Sequence, residues 1–204
     1  MAETSRLAFY FDLASPECYL AAERVLHTLP GRIDWRPVRI AREPGSADAR
    51  SRALLERGAS ELGLLPLRWP ADYPFDSEAA MIVATYARSI GRGVAYAQAA
   101  FRQAFAGGHS LAETDYVLLA GAACEMHPNA MKRALTQRVV REQLARETED
   151  ARRAGVTQLP AVSADAALFE GERALSEAAE HLCGPPARTR GREHSPRLPV
   201  ALAP

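Results

Sequence analysis

The order of apolar patterns along the 204-residue chain predicts an α/β fold, in which a small sheet domain is interrupted by a helical insertion. Two observations predict this fold. A strand–helix–strand pattern occupies the start of the chain, and strand patterns return only after Gly155. Between them the apolar residues have the spacing of helices. An interrupted sheet domain explains this order better than two separate domains do.

The opening pattern is that of a β-α-β unit. Residues 7–13 are a continuous apolar run, which is typical of a strand buried on both faces. Apolar residues recur at helical spacing over 15–29, and a Pro-Gly pair ends that helix. Residues 33–40 predict a second strand, in which Pro37 indicates an edge or a strand end. Two strands joined in this way are expected to be parallel, with a right-handed crossover.

The middle of the chain predicts a block of helices. The predicted helices cover residues 47–62, 77–90, 94–105, 112–123 and 129–154, the last range as one or two helices. Residues 63–75 contain three prolines and are expected to form an extended loop.

The end of the chain returns to strand patterns. Residues 158–163 predict a short strand, and residues 167–170 are expected to pair with it as a hairpin. A helix over 176–182 follows. Residues 184–204 carry five prolines and four arginines without periodicity, which predicts a disordered tail.

These patterns divide the chain into three parts. Residues 1–42 and 150–183 are expected to form one discontinuous sheet domain, residues 43–149 the helical insertion, and residues 184–204 the tail.

Composition narrows the classes of function. The 25 basic and 25 acidic residues balance, so no overall field favours nucleic acid or an anionic membrane. No apolar stretch is long enough to span a membrane. The three cysteines form no CxxC pair and no disulfide framework, and the first residues lack the pattern of a signal peptide. We therefore expect a cytoplasmic protein.

A few side chains have ordinary structural interpretations. Cys124 and His127 have C-x-x-H spacing, but a metal site needs three or four ligands and no second pair is near, so no metal is expected. Three arginines on predicted helices are interpreted as residues of solvated helix faces or as partners in side-chain pairs four residues apart: Arg88, Arg92 and Arg102. Three aromatic residues of the extended loop are interpreted as a packed connection: Trp69, Tyr73 and Phe75.

The segment Ser15-Pro16-Glu17-Cys18 follows the first strand and has two interpretations. Serine at the N-cap, proline next and an acid in the first turn are what a helix start prefers. The same geometry also favours a thiolate, because free N–H groups point outwards at a helix N-terminus. That thiolate belongs either to Cys18 or to a bound thiol that receives a hydrogen bond from Ser15.

A second segment, Leu159-Pro160, opens the first strand after the insertion. Taken with the Ser-Pro-x-Cys segment, it resembles the DsbA-like branch of the thioredoxin fold. Within that branch the chain is similar to 2-hydroxychromene-2-carboxylate isomerases and kappa-class glutathione transferases. The resemblance spans roughly residues 7–182. Its residues are Phe9-Tyr10-Phe11-Asp12, Ser15-Pro16, Tyr19-Leu20, Arg36-Pro37-Val38, Leu67-Arg68-Trp69-Pro70, Pro74-Phe75-Asp76-Ser77, Phe101-Arg102-Gln103-Ala104-Phe105, Gly155-Val156 and Leu159-Pro160.

The resemblance implies a thioredoxin-like fold with a helical insertion, and an enzyme that uses glutathione on a small aromatic or apolar compound. It implies that Ser15 approaches the glutathione sulfur. It also implies a cis Leu159–Pro160 bond, with the backbone of Leu159 offered to the ligand as an added strand. The charge partners that it implies are Arg36, Glu172 and Arg173. Members of the family often dimerise, so a homodimer is an expectation by analogy.

The chain departs from the family at three places. Arg36 stands where lysine is usual, and residues 41–46 replace a stretch that usually contains Gly and Asn. Cys18 corresponds to the second cysteine of true DsbA proteins, and Ser15 occupies the position of their first cysteine. Two alternatives therefore stay open. One is thiol–disulfide exchange through Cys18 alone, although oxidation of DsbA type needs two cysteines. The other is a binding module of this fold without activity.

Overall fold

The computed structural model of the protein describes residues 7–40 and 48–184. Its sheet has four strands in the order β2-β1-β3-β4. The strands are β1 (Leu7–Phe11), β2 (Ile33–Pro37), β3 (Ala161–Ala164) and β4 (Ala167–Glu170). β1 runs parallel to β2 and antiparallel to β3, and β3 is antiparallel to β4. The predicted parallel pair and the predicted hairpin are both confirmed.

The helices of the described residues lie mostly between β2 and β3, as an insertion predicts. They are α1 (Pro16–Ala22), α2 (Val25–Thr28), α3 (Ala49–Glu61), α4 (Glu78–Ser89), α5 (Gly93–Phe105), α6 (Thr114–Ala122), α7 (Pro128–Thr136), α8 (Arg138–Arg153) and α9 (Ala174–Cys183). The range 129–154 holds two helices, because Gln137 leaves the helical conformation between α7 and α8.

β1 is buried on both faces, as its continuous apolar run predicts. Phe9 and Phe11 point into the larger core with Trp35, and their rings contact its indole edge-on. Ala8 and Tyr10 belong to a second, smaller apolar cluster on the opposite face. Alternate residues of a strand point to opposite faces, so one short strand supplies both clusters.

The larger core continues from the sheet into the helical insertion. The ring of Phe11 on β1 lies 5.8 Å from that of Phe101 on α5, and the ring of Tyr19 on α1 lies 5.9 Å from that of Phe105. The loop before α4 joins the same cluster, since Tyr73 and Phe75 are buried against Phe105. The interpretation of this aromatic loop as a packed connection is confirmed.

The single helix predicted over 15–29 is wrong, because the structure has two helices there. α1 ends at Ala22, and α2 begins at Val25. At the break, the N–H of Arg24 bonds to the carbonyl of Ala21, three residues back instead of four. Glu23 at this break accepts two 2.7 Å hydrogen bonds from Arg102 of α5. α1 therefore has only two turns.

Two strands are shorter than predicted. β2 ends at Pro37 rather than continuing to residue 40, because the N–H of Arg39 donates to Oγ1 of Thr148 on α8 and not to a strand. β3 begins at Ala161 rather than at residue 158. Pro160 has no N–H to give to a ladder.

The interpretation of three helical arginines as solvated or paired four residues away is confirmed in part, because Arg92 and Arg102 are exposed while Arg88 is half-buried. Each has a carboxylate partner distant in sequence: Arg88 with Asp34 and Glu147, Arg92 with Glu125, and Arg102 with Glu23. Helix packing rather than helical spacing brings these partners together.

The predictions for residues 41–46 and for most of the tail lie outside the described residues. No described helix is long and apolar enough to cross a membrane.

Candidate functional site

One edge of the sheet brings together the two segments singled out in the sequence. The antiparallel register pairs Tyr10 with Ala161, so its continuation places Phe11 opposite Pro160. Gly171 directly follows β4, and its N–H donates a 2.8 Å hydrogen bond to the carbonyl of Pro160. The loop leading to Ser15, the Leu159–Pro160 segment and the start of α9 therefore share this edge.

Ser15 occupies the N-cap of α1. Its hydroxyl oxygen accepts a 3.1 Å hydrogen bond from the N–H of Cys18, and its own N–H donates to the carbonyl of Asp12. The capping interpretation of the sequence is confirmed. The hydroxyl also donates a 2.7 Å hydrogen bond to Oε2 of Glu17, a partner that the sequence analysis did not identify. The one proton of Ser15 thus points at a carboxylate.

Cys18 lies inside the larger core with no exposed surface. Burial raises the pKa of its thiol to about 12, against the smaller lowering effect of the Ser15 hydrogen bond. The thiol is therefore protonated at neutral pH, and reagents cannot reach it. The thiolate that a helix N-terminus favours has not formed here, because desolvation outweighs the field of a two-turn helix.

The Leu159–Pro160 bond is cis, as the resemblance implies. Leu159 is half-buried, and within the described part of the chain its backbone N–H and C=O have no hydrogen-bonding partner. These groups are available for an added extended chain.

Glu170 holds the residues before this proline, and the sequence analysis missed it. Its Oε1 accepts hydrogen bonds from the N–H groups of Thr157 at 2.7 Å and Gln158 at 2.8 Å. Because these N–H groups bond to a side chain and not to a neighbouring strand, β3 begins at Ala161 rather than at residue 158. An acid at the end of a hairpin strand is a weak sequence signal, and only the fold shows which amides it faces.

Glu172 and Arg173 are exposed and follow the buried Gly171 at the same edge. Arg173 forms a 3.3 Å ion pair with Glu177 in the next turn of α9. The hydrogen bond from Gly171 to Pro160 places both residues next to the Leu159–Pro160 segment. Their predicted contact with a ligand stays a prediction.

Arg36 lies opposite Tyr10 near the end of β2, and its side chain belongs to an ion network along that strand. Its Nε is 2.9 Å from Oδ2 of Asp34. Arg88 donates one hydrogen bond to each carboxylate oxygen of Asp34. Arg88 in turn donates to Glu147. Burial alone would raise the pKa of Asp34, but hydrogen bonds from Arg88 and Arg36 and their charges lower it below its ordinary value.

A cavity of about 1030 Å³ lies beside Arg36, towards the beginning of β1 and β2. Leu7, Ile33 and Asp34 line it, and Ser15 does not. Leu159 and Pro160 are not among its lining residues either. The predicted contact of Arg36 with a ligand stays a prediction.

Asp12 anchors the loop that carries Ser15, and the sequence analysis gave it no role. Its Oδ1 accepts hydrogen bonds from the N–H of Ala14 at 2.8 Å and from the hydroxyl of Ser77 at 2.7 Å. Asp12 and Ser77 are both buried. Ser77 precedes α4, so this bond fastens the helical insertion to the loop.

The described residues contain no cluster of three or more His, Cys, Asp or Glu side chains able to hold a metal ion. His127 instead caps α7, where its Nδ1 accepts a hydrogen bond from the N–H of Asn129. Cys124 is buried in the larger core, as predicted.

Comparison with protein families gives one match, to the DSBA-like thioredoxin domain over residues 6–182. No curated protein matches the chain.

Several solved structures share the fold. 2-Hydroxychromene-2-carboxylate isomerase (HCCA isomerase) superimposes with a TM-score of 0.75 at 22% identity, covering 87% of this chain and 95% of its own. A probable DsbA oxidoreductase from Streptomyces coelicolor has a TM-score of 0.73 at 17% identity, with coverages of 98% and 94%. The cytosolic disulfide reductase DsbM from Pseudomonas aeruginosa, also solved with GSH, has a TM-score of 0.62 at 18% identity, with coverages of 85% and 93%.

Proposed function

Because this chain belongs to the DSBA-like thioredoxin domain family, we propose that it is a glutathione-dependent isomerase or transferase for a small aromatic or apolar compound. The fold is the thioredoxin-like one with a helical insertion, and the sequence predicted it. The proposal rests chiefly on one observation. At the N-cap of α1 stands a hydroxyl, that of the largely buried Ser15, while Cys18, the thiol of the same segment, is fully buried and protonated.

This observation favours an external thiol over a thiol of the protein. Exchange through Cys18 would need its sulfur to reach a disulfide, and the sulfur has no exposed surface. Nucleophilic sulfur chemistry needs a thiolate, and burial holds the pKa of Cys18 near 12. The thiol of glutathione is not enclosed in the core and keeps an ordinary pKa of about 8.5, so a fraction of it is thiolate at neutral pH.

The Leu159–Pro160 segment supports a peptide-like ligand. Glutathione has amide groups that can pair with the N–H and C=O of Leu159, in the manner of a strand added to a sheet edge. Glu170 holds the preceding residues still by bonding two of their amides. Ordering this segment in advance lowers the entropy that binding would otherwise lose.

The resemblance to HCCA isomerase at the level of fold supports the isomerase form of the proposal. In such a reaction the thiolate adds to a conjugated system, a bond rotates, and the thiolate leaves. The half-buried indole of Trp69, whose ring lies 6.3 Å from that of Phe105, suits an apolar or aromatic second substrate.

Calorimetry with reduced glutathione tests the proposal. We expect saturable binding, and we expect Ser15→Ala to weaken it about tenfold, equivalent to ~1.4 kcal/mol. Ser89→Ala is the matched control, since its hydroxyl bonds only a local carbonyl on exposed α4 surface. No binding to the wild type at millimolar glutathione would overturn the proposal.

Turnover separates the enzyme from an inactive binding module of the same fold. We expect 2-hydroxychromene-2-carboxylate to isomerise only when glutathione is present, and more slowly with Ser15→Ala. Binding of glutathione without turnover of any aromatic or apolar test compound would favour the binding module.

A further inference from the structure

The cavity of about 1030 Å³ beside Arg36 lies outside the residues that carry the proposed function, since Ser15, Leu159 and Pro160 do not line it. Its volume is at the upper end of the range of small-molecule sites, about 300–1,000 Å³. Besides β1 and β2, its walls include residues of α2, of the turn between α4 and α5, and of the turn between β3 and β4. The cavity therefore has the size of a ligand site and a lining of its own.

One side of the cavity is apolar. Leu26 of α2, Ile33 at the start of β2 and Val94 of α5 line it. Leu26 is 51% exposed although it lines a cavity, and Ile33 and Val94 are half-buried. Covering these side chains removes apolar surface from water, which favours a ligand with an apolar body.

The charges on the other side are mostly neutralised within the protein. Arg36 and Arg88 line the cavity, and both bond to Asp34. Arg88 also bonds to Glu147. Arg32 is different, because it is exposed and has no acidic partner among the residues that the structure describes. It directly precedes β2, so an unpaired cation borders the apolar side of the cavity.

Asp165 is the other charge of the lining with no partner of opposite sign in the described part of the chain. It follows β3 and Arg32 precedes β2, so β1 lies between them. Neighbouring strands lie about 4.8 Å apart, which places the two backbones roughly 10 Å from each other. In sequence, Arg32 is next to an apolar wall residue, whereas Asp165 follows Ser163, which also lines the cavity. An anionic head with an apolar body therefore fits at Arg32, and Asp165 disfavours a second negative charge.

We propose that this cavity binds an amphipathic monocarboxylate, a molecule with one carboxylate and an apolar body. The carboxylate bonds to Arg32, and the apolar body covers Leu26, Ile33 and Val94. Arginine suits this role, because its guanidinium can donate two parallel hydrogen bonds to one carboxylate. The inference goes beyond the proposed function and does not depend on glutathione.

Decanoate is the probe that tests the site, and Trp35 is the reporter, because it lines the cavity. The chain has two tryptophans, so Trp69→Phe leaves Trp35 as the source of indole fluorescence. We expect a saturable change in its emission, and calorimetry of the wild type should give a similar affinity. Decan-1-ol should bind at least about tenfold more weakly. Hexanoate should also bind at least about tenfold more weakly, since each buried CH₂ group tightens binding about fourfold.

Two variants with matched controls test the two sides of the cavity. Arg32→Ala should weaken decanoate binding at least about tenfold and leave decan-1-ol binding unchanged. Arg138→Ala on α8, where Arg138 is paired with Glu142, should change neither. Leu26→Ser should weaken the binding of both compounds, whereas Val139→Ser, at a position 60% exposed on α8, should not.

Several outcomes would overturn the proposal. The absence of saturable decanoate binding at millimolar concentration would do so directly. Equal affinity for decanoate and decan-1-ol, or unchanged binding in Arg32→Ala, would show that the carboxylate is not recognised. Equal losses in Leu26→Ser and Val139→Ser would show that amphiphiles bind the surface without selectivity.

A ligand of opposite charge gives a different result. Binding of decylamine without binding of decanoate, lost in Asp165→Asn, would assign the cavity to a cation and contradict the proposal. Asparagine tolerates the left-handed backbone of this position, where φ is 55°. None of these outcomes bears on the proposed function, because glutathione binding is measured on the same protein without decanoate.

Discussion

The hydroxyl of Ser77 donates a 2.7 Å hydrogen bond to Oδ1 of Asp12, although the two residues are 65 positions apart in sequence. The same oxygen accepts the N–H of Ala14, one residue before Ser15. The helical insertion and the loop of the candidate site therefore share one buried carboxylate.

Replacing Ser77 by alanine should destabilise the protein by about 1–3 kcal/mol, because a buried carboxylate loses one of its hydrogen bonds. Urea unfolding followed by circular dichroism measures the change. Ser89→Ala, on the exposed end of the same helix, should shift the free energy of unfolding by less than about 0.5 kcal/mol. Equal effects of the two variants would contradict the assigned importance of the Asp12–Ser77 bond.

Cys18 should resist alkylation in the folded protein. Its side chain is fully buried, whereas Cys183 at the end of α9 is exposed. Iodoacetamide followed by peptide mass spectrometry should therefore find Cys183 modified first, and Cys18 modified only after unfolding. Rapid labelling of Cys18 under native conditions would revive the alternative of exchange through the protein's own thiol.

The same burial makes stability fall at alkaline pH. The pKa of Cys18 is raised from 9.0 to about 12, so the folded state holds the proton more tightly than the unfolded state does. This contribution is fully present below pH 9 and is lost as pH rises towards 12, by about 1.4 kcal/mol per pH unit. Unfolding free energies of the wild type and Cys18→Ala across this range isolate it, because the other alkaline titrations are common to both. Parallel curves would contradict the prediction.

The contribution of Asp34 to the free energy of unfolding should decrease in acid. Its pKa is lowered from 3.8 by Arg88 and Arg36 despite partial burial, so the contribution is present above pH 3.8 and is lost as pH falls through the folded-state pKa. After allowance for solvent screening, Asp34→Asn should cost about 1–2 kcal/mol at neutral pH. The difference should shrink below pH 3.8. Urea titrations at several pH values measure it, with Asp150→Asn on exposed α8 as the control.

Glu170 should keep the backbone before Pro160 ordered. Glu170→Gln removes the charge that strengthens its two hydrogen bonds, so the amides of Thr157 and Gln158 should exchange with solvent faster. Hydrogen exchange followed by NMR measures this directly. Glutathione affinity should fall about three- to tenfold, or ~0.7–1.4 kcal/mol, in calorimetry. Unchanged exchange at both amides would show that Glu170 does not hold the segment.

Much of the fold could be predicted because its signals are local. The apolar run of β1, the helical periods of α4 to α8 and the hairpin of β3 and β4 each depend on neighbours within a few residues. The position of the cis proline came from the resemblance to a family rather than from periodicity. The break between α1 and α2 escaped prediction, since apolar spacing continues across it while the hydrogen bonds do not.

The candidate site was predicted less completely. Ser15, Leu159 and Pro160 were named from the sequence, and the structure places them at one edge. Arg36 is predicted as well, but its ion pair with Asp34 on β2 follows from the structure and not from the family resemblance. Glu17 was read only as an acid of the first helical turn, because a sequence does not show where a serine hydroxyl donates.

Local sequence patterns are enough to predict an α/β chain with a helical insertion, a serine cap after β1 and a proline before β3. Those features follow from periodicity and from the conformational preferences of single residues. Packing between distant segments produces the bond between Ser77 and Asp12 and the burial of Cys18. It also brings Glu170 to the amides of Thr157 and Gln158. Each depends on strand register and helix packing between distant segments, which no local spacing encodes.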